Sequence, residues 1–88
     1  VNSFAHGQAE LVKFKVPPDN ILNELSIAYL GKNITNDILI CAIERGGEVY
    51  IPNGDFIIKA GDVISFVSER HIARDFLKDL QQTRLRIP

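Results

Sequence analysis

The spacing of apolar residues near the start of the chain predicts a strand. Residues 10–16 alternate, with Val12 and Phe14 on one face and lysines on the other, and a period of two is typical of a half-buried strand. The double proline at positions 17–18 ends this strand, because proline donates no ladder hydrogen bond. Residues 1–9 carry no such pattern, and we interpret them as a lead-in from an upstream domain.

The spacing then changes to that of a helix. Apolar residues recur three and four positions apart, which predicts a short helix over about 21–30. These residues are Ile21, Leu22, Leu25, Ala28 and Tyr29. Asp19 or Asn20 would cap the start of this helix, and Gly31 would follow its end. The polar stretch at 32–36 predicts a loop.

The middle of the chain is typical of short strands joined by glycine turns. Residues 38–44 are almost entirely apolar, which predicts a central strand that is covered on both faces. Gly46 and Gly47 predict a hairpin turn into a returning strand at 48–51. The apolar residues at 63–68 predict the final strand.

Two further turns separate the returning strand from the final strand, with a short extended piece at 56–59 between them. These turns are Pro52-Asn53-Gly54-Asp55 and Ala60-Gly61-Asp62. In the first turn, the Asn-Gly pair is expected to supply a positive φ angle. In the second turn we expect the same of its glycine, because glycine adopts positive φ without a steric penalty.

A second helix is predicted from position 68 to about position 80, with Ser68 or Glu69 as its cap. Its apolar stripe consists of Ile72, Phe76, Leu77 and Leu80. Residues 81–88 are predicted to form a C-terminal tail. The order over residues 10–80 is therefore β-α-β-β-β-α, and the hairpins predict an α+β fold, with a mainly antiparallel sheet and two helices on one face.

Composition and charge narrow the class of protein. The chain of 88 residues is long enough for one domain, and twelve Ile and six Val against eight Leu favour a sheet. A secreted domain of this size usually needs disulfides, so the single cysteine, Cys41, indicates an intracellular protein. The net charge of -1 argues against a nucleic-acid partner. No segment has the apolar length that direct membrane insertion requires.

The sequence contains no recognisable catalytic set, and we predict neither an enzyme nor a metal site. His6 and His71 have no Cys, Asp or Glu at metal-ligand spacing, and the serines lie in no nucleophile motif. Asp55 and Asp62 each follow a glycine in a turn. We interpret these carboxylates as acceptors of hydrogen bonds from their own turn backbone. Cys41 lies in an apolar run and is interpreted as a small buried side chain.

The two spaced turns and the strands around them resemble a known family. The resemblance rests on four features: an apolar strand ending in Ala42-Ile43, the glycine hairpin, the turn Ile51-Pro52-Asn53-Gly54-Asp55, and Ala60-Gly61-Asp62 before the last strand. This pattern resembles the RCK C-terminal domain, also called TrkA-C, of bacterial potassium-uptake regulators. The start at 7–17 resembles the junction with the nucleotide-binding domain that precedes it in that family. The resemblance covers residues 8–80.

The resemblance implies a regulatory, ligand-sensing domain that dimerises. A small molecule would bind at the interface between subunits, and in some members of the family that molecule is cyclic di-AMP. Any NAD or ATP would belong to the upstream domain, and no cofactor is expected in this one. The implied partners are a second copy and a membrane-embedded potassium transporter or channel subunit. The domain would therefore be cytoplasmic and peripheral to the inner face of the cell membrane.

The resemblance also implies a set of ligand contacts along the first helix, the start of the 38–44 strand and the proline turn. These residues are Ile27, Ala28, Ile38, Leu39 and Pro52. Each of them is also explained by ordinary packing in the core or in a dimer. The family's first helix usually carries a Leu-x-Gly-Lys signature, whereas residues 22–25 are Leu-Asn-Glu-Leu. A purely structural dimerisation module without a ligand is therefore the alternative.

Overall fold

The five strands in the described part of the chain pair into one antiparallel sheet. The computed structural model describes residues 8–81 and the backbone of residues 2–4. The elements are β1 (Asn2–Phe4), β2 (Ala9–Lys15), α1 (Ile27–Asn33), β3 (Leu39–Arg45), β4 (Glu48–Tyr50), β5 (Val63–Glu69) and α2 (Arg70–Leu80). The strands lie in the order β1-β2-β5-β3-β4.

This arrangement confirms the α+β fold class, and the order from β2 to α2 is the predicted β-α-β-β-β-α. Strand β1 is an addition, because the sequence analysis placed residues 2–4 in a lead-in. It pairs with β2 through Ser3 opposite Glu10 and Phe4 opposite Ala9. His6 and the predicted tail beyond Gln81 lie outside the described residues.

The middle of the sheet is β5 and not β3 as predicted. Ile64 of β5 pairs with Phe14 of β2 on one side and with Ile43 of β3 on the other. Ser65 and Ser68 of β5 are buried. Because these two residues are polar, the sequence pattern of β5 did not indicate a central strand. The apolar run of β3 has a different cause, because part of that strand faces an uncovered side of the sheet.

The core lies between one face of the sheet and the helices. Val12 pairs with Phe66 in the sheet, and the ring of Phe66 meets that of Phe76 on α2 edge to face, with 5.3 Å between centroids. The fully or almost fully buried apolar residues are Val12, Val16, Leu22, Leu30, Ile43, Ile58, Ile64, Phe66, Ala73, Phe76 and Leu80. Leu30 belongs to α1, so both helices contribute to this single core.

The first helix begins later than predicted. Ser26 is its N-cap, and the Tyr29 N–H donates to Ser26 Oγ at 3.0 Å. The predicted start near position 21 is wrong because Glu24 has a φ of 74°, which interrupts any right-handed helix. Gly31 consequently lies inside α1 and does not follow it. Leu22 is buried in the core although it stands in a turn.

Asn20 is not a helix cap but a link between two distant parts of the chain. Its Nδ2 donates to the carbonyl oxygen of Leu80 at 2.7 Å, and its Oδ1 accepts from the Leu22 N–H at 3.0 Å. The side chain is buried, and burying an amide is tolerated because it is hydrogen-bonded. Asn20 therefore holds the turn after β2 against the end of α2.

The second helix matches its prediction closely. It begins at Arg70 directly after β5, with Glu69 in the N-cap position and no side-chain hydrogen bond to the cap. Ala73, Phe76 and Leu80 are its buried residues, spaced three and four positions apart as an apolar helical stripe requires.

Candidate ligand and partner surface

The turns of the sequence pattern are tied to the sheet by an ion pair between Arg45 and Asp62. Arg45 ends β3, and Asp62 directly precedes β5. Arg45 Nε donates to Asp62 Oδ1 at 2.8 Å, and Arg45 Nη2 donates to Asp62 Oδ2 at 2.7 Å. The two parallel hydrogen bonds make a bidentate pair, which fixes orientation as well as distance.

Asp62 is 1% exposed, so its charge depends on its partners. Burial alone would raise the pKa of Asp62, but the hydrogen bonds from Arg45 and from the Lys59 N–H, together with the positive charges of Arg45 and Lys59, hold the pKa below its ordinary value. The hydrogen bond to Asp62 also raises the pKa of Arg45. Asp62 thus accepts a hydrogen bond from the backbone of its own turn, as expected. Its carboxylate also neutralises the charge of Arg45 at the end of β3.

The same arginine organises the segment between the two turns. Arg45 Nη2 donates to the carbonyl oxygen of Ile57 at 2.8 Å, and its guanidinium lies 4.8 Å from the ring centroid of Phe56. That ring contacts Tyr50 of β4 at 5.6 Å between centroids. Arg45 therefore fastens residues 56–58 to β3 and β4. No local sequence pattern marks Arg45, because its partner is 17 positions away.

The first helix docks on the proline turn. The Ala28 N–H donates to the Gly54 carbonyl oxygen at 3.0 Å, and the Ile27 N–H donates to the Phe56 carbonyl oxygen at 3.0 Å. A Cβ on Gly54 would lie 3.3 Å from the Cβ of Ala28. The structure therefore brings two of the predicted ligand residues, Ile27 and Ala28, against the turn that contains the third, Pro52.

Gly54 does not have the positive φ that the sequence analysis expected, whereas Gly46, Gly47 and Gly61 have φ angles of 58°, 81° and 91°. The role of Gly54 is the close approach of α1. Asn53 supplies the turn in another way, because its Oδ1 accepts from the Asp55 N–H at 3.0 Å.

The remaining two predicted ligand residues lie at the start of β3. Ile38 is half-buried and packs against the core, whereas Leu39 is 65% exposed. Leu39 pairs across the sheet with Val67 of β5, and Val67 pairs with Leu11 of β2. We call these three residues, Leu11, Val67 and Leu39, the apolar row. Both described helices pack on the opposite face of the sheet, so no described helix covers the row.

The other end of this uncovered face carries an ion pair. Lys13 of β2 reaches Glu44 of β3, with 3.3 Å between Nζ and Oε2. Val49 of β4 pairs with Glu44 and lies at this end. The face is thus divided along the strands into an apolar end and a charged end.

The described residues contain no group of three or more His, Cys, Asp and Glu side chains placed to hold a metal ion. Cys41 is half-buried, and its Sγ lies 3.6 Å from the carbonyl oxygen of Leu39. Neither of the two helices in the described part of the chain is long and apolar enough to cross a membrane.

The chain belongs to the TrkA-C domain family, whose model matches residues 11–81. This confirms the resemblance that the two spaced turns carried. The matched residues extend from β2 to the end of α2, and they contain the ion pair, the docked helix and the apolar row.

Two similar proteins add detail. The "Trk system potassium uptake protein TrkA homolog" of Archaeoglobus fulgidus is 32% identical over 71 residues, which are 78% of this chain and 15% of that protein. The chain thus spans only a small part of this relative's length. The structure of the RCK_C domain dimer of S. agalactiae BusR in complex with c-di-AMP is similar at a TM-score of 0.67 and 25% identity, covering 80% of this chain and 93% of that one.

Proposed function

We propose that the chain is a regulatory domain that pairs with a second copy and binds a small molecule between the two subunits. The observation that carries this proposal is the apolar row, Leu11, Val67 and Leu39, on a sheet face without a helix. A two-fold interface buries the same patch from both copies. A patch that is apolar at one end and charged at the other suits such an arrangement, because apolar surface gains free energy on leaving water.

The similarity to the RCK_C domain dimer of BusR supports both halves of the proposal, because that dimer was solved in complex with c-di-AMP. The proposed ligand is therefore a cyclic dinucleotide. The proposed contacts are Ile27, Ala28, Ile38, Leu39 and Pro52. Ile27, Ala28 and Pro52 lie together where α1 meets the proline turn, and Ile38 and Leu39 lie at the start of β3. Ala28 and Leu39 are exposed, and the other three are half-buried.

Rigid placement of these residues favours ligand binding. The two backbone hydrogen bonds from Ile27 and Ala28 hold the start of α1 on the proline turn, and the Arg45–Asp62 pair holds the far side of that segment to the sheet. A preorganised site loses less conformational entropy when a ligand binds. The part of the proposed site where α1 meets the proline turn would therefore be formed before a ligand binds.

Regulation follows from the two-fold arrangement. A ligand that contacts both copies binds best to one relative orientation of the subunits, and it shifts the population toward that orientation. This shift is a coupling free energy between the domain and whatever is joined to it. The relationship to the TrkA homolog suggests a potassium-uptake system as the target, with a membrane-embedded transporter subunit as partner and the domain on the cytoplasmic side.

Sedimentation of the chain at micromolar concentration tests the interface. We expect a dimer that Leu39→Asp converts to a monomer, because the carboxylate would be buried without a partner. Val49→Asp is the matched control, since Val49 is equally exposed at 65% but lies at the charged end of the face. A dimer that survives Leu39→Asp, or a wild-type chain that is monomeric at all concentrations, would contradict the proposed interface.

A further inference from the structure

A second exposed apolar surface lies on the helix side of the molecule, away from the apolar row. It is a groove of about 450 Å³ between α2 and the loop that follows α1. Ile72 lines the groove from α2, and Ile34 lines it from the opposite wall. Ile21 also lines it, and Ile21 and Ile34 are 44% and 39% exposed. Three isoleucines thus give the groove an apolar floor that is open to solvent.

The rim of this groove is acidic. Asp37, Asp75 and Asp79 line it and are exposed, and among the described residues no Lys or Arg lines it. Within the same part of the chain none of the three carboxylates takes part in an ion pair. We call this surface the acidic groove. Its three negative charges are available to an occupant.

The charge of the acidic groove is local, because the whole chain is almost neutral, with 11 Asp and Glu against 10 Lys and Arg. Asp75 and Asp79 lie four positions apart on α2, where like charges repel each other. A cationic occupant relieves this repulsion, and an apolar occupant removes the isoleucines from water. The acidic groove therefore complements an occupant that is cationic and apolar at once.

We propose that the acidic groove binds a basic amphipathic helix on the cytoplasmic side of the membrane-embedded partner subunit. An amphipathic helix places its apolar stripe on the floor of a groove, and Lys or Arg on its two flanks faces Asp37 on one wall and Asp75 and Asp79 on the other. Membrane proteins concentrate Lys and Arg in their cytoplasmic loops, so this subunit is a fitting source. The source rests on the proposed function, whereas the chemistry of the occupant rests on the groove alone.

Fluorescence anisotropy of a labelled model peptide tests this chemistry. The probe has about 15 residues, near the length at which an isolated helix becomes stable, with a Leu stripe flanked by Lys. We expect saturable binding to the 88-residue chain. A peptide of the same composition with its Leu stripe scrambled should bind at least about tenfold more weakly, and a peptide with Glu in place of Lys should not bind. Equal affinities for the three peptides would overturn the proposal.

Charge reversal locates the binding on the molecule. Asp75→Lys with Asp79→Lys should weaken binding of the Lys peptide at least about tenfold, because attraction becomes repulsion. Glu48→Lys with Glu69→Lys is the matched control, since it makes the same change of charge at exposed positions outside the groove. The control should weaken binding by less than about threefold in physiological salt, which screens distant charges. Equal weakening by both pairs would indicate attraction to the overall charge and would overturn the proposal.

The apolar floor is tested by a single substitution. Ile21→Ser should weaken binding of the Lys peptide about 3- to 10-fold, because it removes apolar surface that the peptide covers. Ile51→Ser is the matched control, since Ile51 is 81% exposed and does not line the groove; it should leave the affinity unchanged. Equal effects of the two substitutions would contradict docking on the floor of the groove.

Vesicles test the membrane source. The chain should sediment with phosphatidylcholine vesicles that carry a single-span peptide ending in the Lys-flanked helix, and not when that helix carries Glu instead. No sedimentation with the Lys vesicles would overturn the membrane source, and sedimentation with peptide-free vesicles containing phosphatidylglycerol would identify lipid as the partner and overturn the proposal. Leu39→Asp should bind the model peptide as the wild type does. A chain that dimerises and binds c-di-AMP but not the peptide would therefore overturn this inference alone.

Discussion

Arg45 and Asp62 form a bidentate ion pair in which the carboxylate is 1% exposed and the two N–O distances are 2.8 and 2.7 Å. The pair joins the end of β3 to the turn before β5, and through Ile57 it fixes the segment on which α1 docks. The part of the proposed site where α1 meets the proline turn therefore depends on an ion pair that forms no side-chain hydrogen bond with Ile27, Ala28 or Pro52.

Arg45→Ala is expected to destabilise the fold by about 2–4 kcal/mol, because it leaves a buried carboxylate without its main partner. Urea unfolding at neutral pH measures this loss. Lys13→Ala is the control, since Lys13 Nζ forms a surface ion pair with Glu44 Oε2 at 3.3 Å, and an exposed pair contributes about 0–1 kcal/mol. Equal losses in the two variants would mean that the burial of Asp62 has no energetic consequence.

The stability of the domain should fall in acid because of Asp62. Its pKa is held below the ordinary value in the folded chain, while the unfolded chain has an Asp pKa of about 3.9. The contribution of Asp62 is thus complete above the unfolded pKa, and it is lost as the pH falls through the folded pKa. Unfolding free energies of the wild type and Asp62→Asn should begin to converge as the pH falls below about 4. A constant difference down to the acid limit would contradict this assignment.

Three glycines are expected to respond differently to alanine. Gly61→Ala should cost about 1–2 kcal/mol because its φ is 91°. Gly54→Ala should cost about 1 kcal/mol, because the added Cβ would lie 3.3 Å from the Cβ of Ala28. In a chain that already carries Ala28→Gly, most of this cost of Gly54→Ala should be absent. Gly31→Ala should instead stabilise the protein by about 0.5–1 kcal/mol, since it lies in α1 with open space around it.

The sign of each stability change is measured as the direction in which the midpoint of urea unfolding shifts, while the slope of the unfolding free energy against urea concentration stays constant. A neutral Gly61→Ala would mean that the backbone there is not left-handed. A cost of Gly54→Ala that Ala28→Gly does not relieve would place its cause in the turn and not in the docking of α1.

Asn20→Ala should destabilise the protein by about 1–3 kcal/mol, because the Leu22 N–H and the Leu80 carbonyl both lose a buried partner. Thermal unfolding followed by circular dichroism measures this. Asn33→Ala is the control, since its side chain donates to the Tyr29 carbonyl at the surface, and it should change stability by less than about 0.5 kcal/mol. Similar effects of the two changes would contradict the linking role of Asn20.

The sequence predicted those parts of the fold that depend on local rules. Gly61 has the positive φ that was expected of it, whereas Gly54 does not; Gly46 and Gly47 form the predicted hairpin turn, and α2 follows the apolar stripe of its sequence. The start of α1 was wrong because the apolar residues before it retain helical spacing although Glu24 interrupts the helix. Such spacing reports which residues are buried, and Leu22 is buried from within a turn.

Local sequence rules could not predict which residues from distant parts of the chain lie in contact. The pairing of Arg45 with Asp62 depends on which strands are neighbours, and the sequence pattern placed β3 and not β5 in the middle of the sheet. The apolar run of β3 also reflects two environments, since Ile43 is buried in the core and Leu39 is exposed on the uncovered face. A run of apolar residues does not distinguish a strand that is covered on both faces from a strand with one face left uncovered by the rest of the domain.

The most direct test of the regulatory proposal is a calorimetric titration of the chain with c-di-AMP. The proposal predicts saturable binding of one ligand per two chains, which Leu39→Asp abolishes and Val49→Asp leaves intact. Binding should also raise the Tm in proportion to ligand excess over Kd. No heat of binding and no change of Tm in an intact dimer would contradict ligand sensing and would identify the domain as a purely structural dimerisation module.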